Sequence, residues 1–278
     1  MVRYSFLGYS WVLMLAMALP LNGLAQTCCS GGVPIAGSLG LSSAAHRSWQ
    51  FMLTYDFNFL HDLVETSTEL DDDRRTRETH ATLLEVNYGL AERFTLTGLV
   101  SWIRQERNII SDFGTGESRT AQGIGDAVLL LKYRVTPATS EGRHELVVGA
   151  GPKIPVGQTD VRTSSGIALS ADMQAGTGAW DGMFWVAYTQ QQFLAPSLSL
   201  QAVATYRLTG TNPDFFGERY GFGNELQLTS GLSNAFIVKG MAFDALLFGR
   251  YRQVDEDERN GTELPNTGGQ WAYLIPGV

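Results

Sequence analysis

An all-β chain forming an antiparallel transmembrane β-barrel is the fold that three features of this sequence predict. Stretches of roughly ten residues alternate apolar and polar side chains along most of the chain. The connections between those stretches alternate long and short. Only 17% of the 278 residues are charged, whereas a soluble surface carries about a quarter to a third.

The elements follow in chain order. Residues 1–25 read as a secretory leader, with Arg3 as the positive n-region, Trp11–Leu21 as the apolar h-region and Gly23-Leu24-Ala25 as the small-residue cleavage site. That apolar run falls well short of the roughly 20 residues a spanning helix needs. The leader is therefore expected to be cleaved, and an exported product that enters a membrane must cross it with strands. Residues 26–48 form a Gly/Ser-rich lead-in that carries the adjacent pair Cys28-Cys29. It is free either to plug the lumen or to hang in the periplasm.

Residues 49–278 carry the barrel. Trp49–Phe59 sets Phe51, Leu53, Tyr55, Phe57 and Phe59 against Gln50, Thr54, Asp56 and Asn58. Phe94–Gln105 and Leu198–Thr209 alternate in the same way, as do 79–88, 124–135, 144–154, 180–192, 220–230, 236–252 and 269–276. That makes ten strands. The chain stops at Ile275-Pro276-Gly277-Val278, which reads as the start of another turn. One more hairpin, missing at the C-terminus, would give an intact barrel of 12 strands; a closed ten-stranded barrel is the alternative, both counts being even.

The connections are 60–78, 89–93, 108–123, 136–143, 155–179, 193–196, 210–219, 231–235 and 253–268, in strict long–short order. Outer-membrane barrels have that asymmetry, with short periplasmic turns and longer external loops. The long segments Leu60–Glu78 and Gln253–Gly268 each carry a net charge of −4, which together make up the −8 of the whole chain. The remaining strand charges sit opposite the apolar face. Asp56, Glu85, Asp126, Lys132, Arg134, Glu225, Asp244, Arg250 and Arg252 are the expected pore-lining residues, with Glu145 and Lys153 on the same side. A charge on the lipid face at mid-membrane costs about 2–4 kcal/mol for Arg or Lys, so the charged face belongs in the lumen. Trp49, Trp102, Trp180, Trp185 and Trp271 lie near strand ends, where an aromatic girdle forms.

Several functions are excluded or left weak. A pI near 5.0 and no Lys/Arg cluster argue against nucleic acid. Two neighbouring cysteines cannot staple a disulfide scaffold. No G-x-S-x-G, H-E-x-x-H or phosphate-binding glycine loop is present, so neither an enzyme nor a cofactor is expected. His61, Asp62 and His80 flank the first long loop without a metal-ligand spacing. Cys28 and Cys29 are the candidate metal ligands, as thiolates for a soft ion such as Cu(I); a vicinal disulfide or pairing with a partner protein is the competing use. Asp255–Gly261 evokes a calcium loop, but its Gly is one place late and Asn266 holds the place of the distal Glu.

Gly123-Ile124-Gly125-Asp126-Ala127, Lys132-Tyr133 and Gly149-Ala150-Gly151-Pro152-Lys153-Ile154-Pro155-Val156-Gly157 together resemble bacterial outer-membrane proteins labelled for the meta-pathway of phenol degradation. Cys28–Gly32, Gly176–Gly182 and Pro265–Trp271 resemble one branch of that family. The resemblance implies a channel or transporter for small, hydrophobic or aromatic molecules. The expected partners are outer-membrane lipid and lipopolysaccharide, the barrel-assembly machinery and a small-molecule solute. A structural or adhesive surface barrel acting through its acidic loops, and a copper-related component using Cys28 and Cys29, are the alternatives.

Overall fold

The structure, a computed structural model, describes residues 43–60, 63–65, 68–70, 75–110, 116–136, 143–163, 165–265 and 267–278. Cys28, Cys29, His61 and Asp62 lie outside the described residues.

β1 (Trp49–Leu60) leads through a small hairpin, β2 (Leu63–Glu65) and β3 (Thr68–Leu70), to β4 (Arg75–Gly89) and β5 (Phe94–Ile110). β6 (Gly116–Ile124) and β7 (Ala127–Arg134) both pair with β5 and are separated only by Gly125-Asp126. β8 (His144–Ile154), β9 (Asp181–Gln190) and β10 (Leu198–Leu208) follow. Two further hairpins, β11 (Thr211–Phe215) with β12 (Glu218–Gly221) and β15 (Asp257–Arg259) with β16 (Thr262–Leu264), flank β13 (Glu225–Val238) and β14 (Met241–Val254). β17 (Gly269–Gly277) is last.

The main sheet runs β1-β4-β5-β7-β8-β9-β10-β13-β14-β17, with every neighbouring pair antiparallel. It therefore contains the ten expected strands and curls into half a barrel, whose edges are β1 and β17. No β1–β17 ladder occurs among the described residues. Strand neighbours in sequence are neighbours in space, which short connections favour.

Alternation along each strand sends side chains to opposite faces. On β1, Trp49, Phe51, Leu53, Tyr55, Phe57 and Phe59 are all at least half exposed on the convex side. On β4 and β5 the opposite set is enclosed: Ala81, Leu83, Glu85, Asn87, Thr95, Thr97, Leu99, Ser101 and Ile103. The buried interior is thus the concave side, and it holds polar and apolar groups together.

The strand boundaries differ from the sequence reading in three places. β4 starts at Arg75 and β5 runs on to Ile110, so both extend into segments read as loops. β6 occupies most of the expected 108–123 connection. The turn expected at 231–235 falls instead at Lys239-Gly240, where both residues have positive φ, 53° and 82°. That pair is the signature of a two-residue hairpin turn. Gly231 lies inside β13 because Leu247 and Phe248 of β14 press against its backbone and would strike any Cβ.

Candidate functional site: the concave face

Ion pairs and an apolar cluster share the concave face. Lys132 Nζ lies 3.3 Å from Glu85 Oε1, and 4.4 Å from the ring centre of Trp185. Lys153 Nζ meets Asp126 Oδ2 at 2.6 Å and Asp181 Oδ2 at 3.1 Å, and it donates to Thr177 Oγ1 and the Ala179 carbonyl. Glu225 sits between Arg207 (3.1 Å) and Arg252 (2.7 Å), and Arg252 lies 5.1 Å from the Trp271 ring centre. Charges enclosed at this depth persist when paired and hydrogen-bonded. Between them packs a cluster that includes Leu83, Leu99, Ile103, Leu130, Val147, Met183 and Trp185. The Trp185 indole N–H is enclosed and, among the described residues, meets no hydrogen-bond acceptor.

The nine residues singled out from the sequence divide by environment. Asp126, Lys132, Glu85 and Glu225 are at most 4% exposed and sit within the pairs just described. Arg134 Nε is 3.2 Å from Glu145 Oε1 near the short-turn end. Arg250, Arg252, Asp244 and Asp56 belong to the sparser wall and edge, and Asp56 acts electrostatically on Arg250 from β1 to β14. Register places the eight that lie in strands on the concave side, and Asp126, between β6 and β7, joins them there through Lys153. Sequence reasoning passed over Arg77, Arg107, Asp172 and Arg207, and it missed the apolar cluster. The run Val128-Leu129-Leu130-Leu131 hid that cluster, because an unbroken apolar run does not reveal which face is lined.

The long connection 155–180 folds back over this face. Gly157 and Gly176 touch backbone to backbone, so a side chain at either would collide with the other. Gln174, fully enclosed, ties the segment to itself by accepting from Val161 N (2.9 Å) and donating to the carbonyls of Val161 (3.1 Å) and Leu169 (3.0 Å). Leu169 and Met173 pack on Ala121 of β6. Asp126 fixes the base of the segment, accepting from Gly157 N (3.1 Å) and Thr177 N (3.0 Å). At the far side, a short 3-10 turn, Ala171–Met173, delivers Asp172 to Arg77 of β4 (2.9 Å) and to Arg107 of β5. Burial works against the Asp172 charge, but Arg77 and Arg107, with Ser170, hold its carboxyl below the usual carboxylate range.

Residues 43–48 cross the short-turn end of the same face. Arg134 Nη2 donates to Ser43 Oγ (2.6 Å), which donates to Glu145 (2.6 Å), and Ala44 N donates to Thr95 Oγ1 (3.0 Å). Gly89 has no side chain where the Ala45 carbonyl presses against it.

At the long-loop end, β11, β12, β15 and β16 form a sheet of their own. Tyr220 Oη donates to Asp257 Oδ2 at 2.6 Å, and Gly223 N donates to Asp257 Oδ1 at 2.8 Å. Burial raises the Asp257 carboxyl above its ordinary range despite those bonds; burial and Asp257 likewise push the Tyr220 phenol up. A cavity of about 730 Å³ opens beneath this sheet, with Asn224, Asp255, Glu256, Glu258 and Glu263 in its walls.

Among the described residues the histidines do not converge. His80 projects from β4 to the convex side, with Nδ1 2.7 Å from Tyr55 Oη, and His144 makes the same contact with Tyr188. His46 bridges to Gly89. Among the described residues no group of three or more His, Cys, Asp or Glu is placed to hold a metal ion, and no helix is long and apolar enough to cross a membrane.

A half-barrel with charge pairs inside and aromatic side chains outside defines a β-barrel protein of the outer-membrane-channel fold. Residues 65–278 match the family described as "Putative MetA-pathway of phenol degradation", and the chain belongs to that family. Among solved structures it is similar to an outer membrane channel from Pseudomonas putida F1, at 16% identity and a TM-score of 0.60, over 85% of this chain and 83% of that one. A search of curated protein sequences finds no match to the chain.

Proposed function

We propose that the protein is an outer-membrane channel that passes small, hydrophobic or aromatic molecules without catalysis. The observation that carries this reading is the concave face. There, the packed apolar cluster of Leu83, Leu99, Leu130, Val147, Met183 and Trp185 lies between the ion pairs, an interior of mixed character that suits a hydrophobic solute better than a strongly hydrated one. Asp56, Glu85, Asp126, Lys132, Arg134, Glu225, Asp244, Arg250 and Arg252 line the lumen in this reading, several of them held in pairs. The fold shared with a solved outer membrane channel supports it, as does the exposed aromatic row of β1, which suits lipid contact. Residues 1–25 direct export, the lipid and lipopolysaccharide of the outer membrane surround the convex face, and the assembly machinery inserts the barrel.

The test is uptake by liposomes holding the refolded full-length protein, with sugars, amino acids and small aromatic compounds as solutes. Selective entry of aromatics is the expected result. Equal entry of every small solute would make it a general pore, and no entry with correct folding would overturn the channel reading. The second reading, a surface barrel that binds through its acidic loops, draws on the acid-walled cavity beneath β11–β16. It predicts partner binding that is lost when Asp255, Glu256, Glu258 and Glu263 in those walls are changed to Asn or Gln.

A further inference from the structure

At the long-loop end, the connection between β8 and β9 touches both sides of the concave face at once. Toward the first wall, Leu169 and Met173 pack on Ala121 of β6, and Asp172 meets Arg77 of β4 and Arg107 of β5. Toward the other side, Ala171 packs with Phe215 of β11, Tyr220 of β12 and Phe222 just beyond it, all belonging to the outer hairpins. The Arg162 guanidinium lies 4.4 Å from the ring centre of Phe216 in the same hairpin. Leu169, Ala171, Met173 and Ala175 are each at most 6% exposed, so no solute-wide gap separates the segment from what it touches. A solute that passes between these two sides must displace it.

The two ends of the segment are held unequally. Its neck is fixed by enclosed groups: Asp126 accepts from Gly157 N and Thr177 N, and Lys153 pairs with Asp126 where both are out of water. Gly157 and Gly176 touch there, which makes a compact loop with adjacent ends. Gln174 binds the loop to itself through Val161 and Leu169, so the part beyond the neck moves as one body. The tip is more open. The side chains of Asp172 and Arg107 are 22% and 25% exposed, and water screens such a pair far more than the one at the neck. Arg77 also donates to Gln105 of β5, so it stays on the wall when the tip leaves. A body fixed firmly at one end and weakly at the other swings about the firm end, and small residues at the neck suit a hinge.

We propose that residues 169–176 form a gate at the long-loop mouth, closed at rest and opened by release of Asp172 from Arg77 and Arg107. The neck at Gly157 and Gly176 is its hinge. The closed state dominates because opening brings Leu169, Ala171 and Met173 into water. β4, β5 and the outer hairpins keep their places while the gate moves, as the frame of a lid does. The proposal rests on the channel reading and adds the element that regulates passage.

The experiment is current through planar bilayers holding the refolded full-length protein, with potassium chloride as the carrier. Each variant is checked for folding by heat-modifiable migration on a gel. Asp172→Asn is expected to raise the open fraction about fivefold, the worth of a part-exposed ion pair. Replacing residues 160–174 by a short Gly/Ser turn is expected to keep the current continuously high; Gly176 N bonds the Gln158 carbonyl at 2.9 Å, so the ends to be joined are adjacent. Arg162→Cys with Phe216→Cys, in a background of Cys28→Ser and Cys29→Ser, is expected to fall silent when a bifunctional thiosulfonate bridges the two thiols. Dithiothreitol then restores its current. An open fraction that neither Asp172→Asn nor the bridge alters overturns the gate, and current from those same preparations leaves the channel standing. No current from any folded variant, the shortened one included, overturns the channel and the gate with it.

Discussion

Lys153 Nζ lies 2.6 Å from Asp126 Oδ2 and 3.1 Å from Asp181 Oδ2, with all three side chains at most 2% exposed. One ammonium therefore ties the gap between β6 and β7 to the first residue of β9, across the full span of the inserted connection. Because Asp126 also accepts from Gly157 and Thr177, the same carboxylate holds both arms of that connection at its base.

Removing one member of this group leaves a buried charge without its counter-ion. Lys153→Met is expected to destabilise the folded barrel by about 3–5 kcal/mol. The combined change Asp126→Asn with Lys153→Met should recover part of that loss. Urea unfolding from lipid vesicles, followed by tryptophan fluorescence, measures both.

Gly157 and Gly176 admit no side chain where they touch. Gly176→Val should lift the connection off the concave face while leaving the strands intact. Limited trypsin digestion reports this through faster cleavage after Arg162, which is exposed in that connection.

Two carboxyls at the long-loop end titrate with opposite effects. The Asp172 carboxyl is depressed, so its docking is complete above the ordinary carboxylate range and is lost as pH falls through the lowered value. The Asp257 carboxyl is raised, so its contribution is present at low pH and declines as pH rises from the ordinary value through the elevated one. Acidification should therefore speed protease cleavage in the 155–180 connection while the outer hairpins around Asp257 gain stability; digestion at graded pH, corrected for the protease's own rate, checks both. Tyr220→Phe should remove about 1–3 kcal/mol from the outer hairpins, because it leaves a buried acceptor unmatched.

The exposed row on β1 sets a depth test. Leu53→Arg, on the convex face, is expected to cost about 2–4 kcal/mol in vesicles if that residue lies near mid-membrane. Thr54→Arg, on the concave face, should cost less. Folding yield against urea in vesicles separates them.

β1 was legible in the sequence because aromatic or large aliphatic residues recur at every second position from Trp49 to Phe59, with a polar stretch following. Gly231 misled because a glycine read as a turn residue is here required by close strand approach, whereas Lys239-Gly240 carries the turn within an otherwise apolar stretch. Arg77 and Arg107 were hidden because β4 and β5 run on beyond their apolar alternation into polar residues that a loop would also carry. Their partner Asp172 is 95 residues from Arg77, and no periodicity encodes a contact made by an irregular connection. The charged set on the strands was legible as a face; its pairing was not, because the register between neighbouring strands decides which acid meets which base, as where Lys153 stands opposite Asp181 and Arg207 opposite Glu225.

The two walls of the half-barrel are filled unequally. From β4 to β9 the concave side chains are mostly enclosed, whereas most residues of β13 and β14 keep solvent contact even where they point inward. Local opening is easiest where buried contacts are few. The first wall is thus a stiff stave and the second a compliant one, and fluctuations in bore belong to the β13–β17 side. In the channel reading proposed above, a solute wider than the resting passage would be admitted by the yielding of that side alone, while the paired charges of the other keep its path fixed.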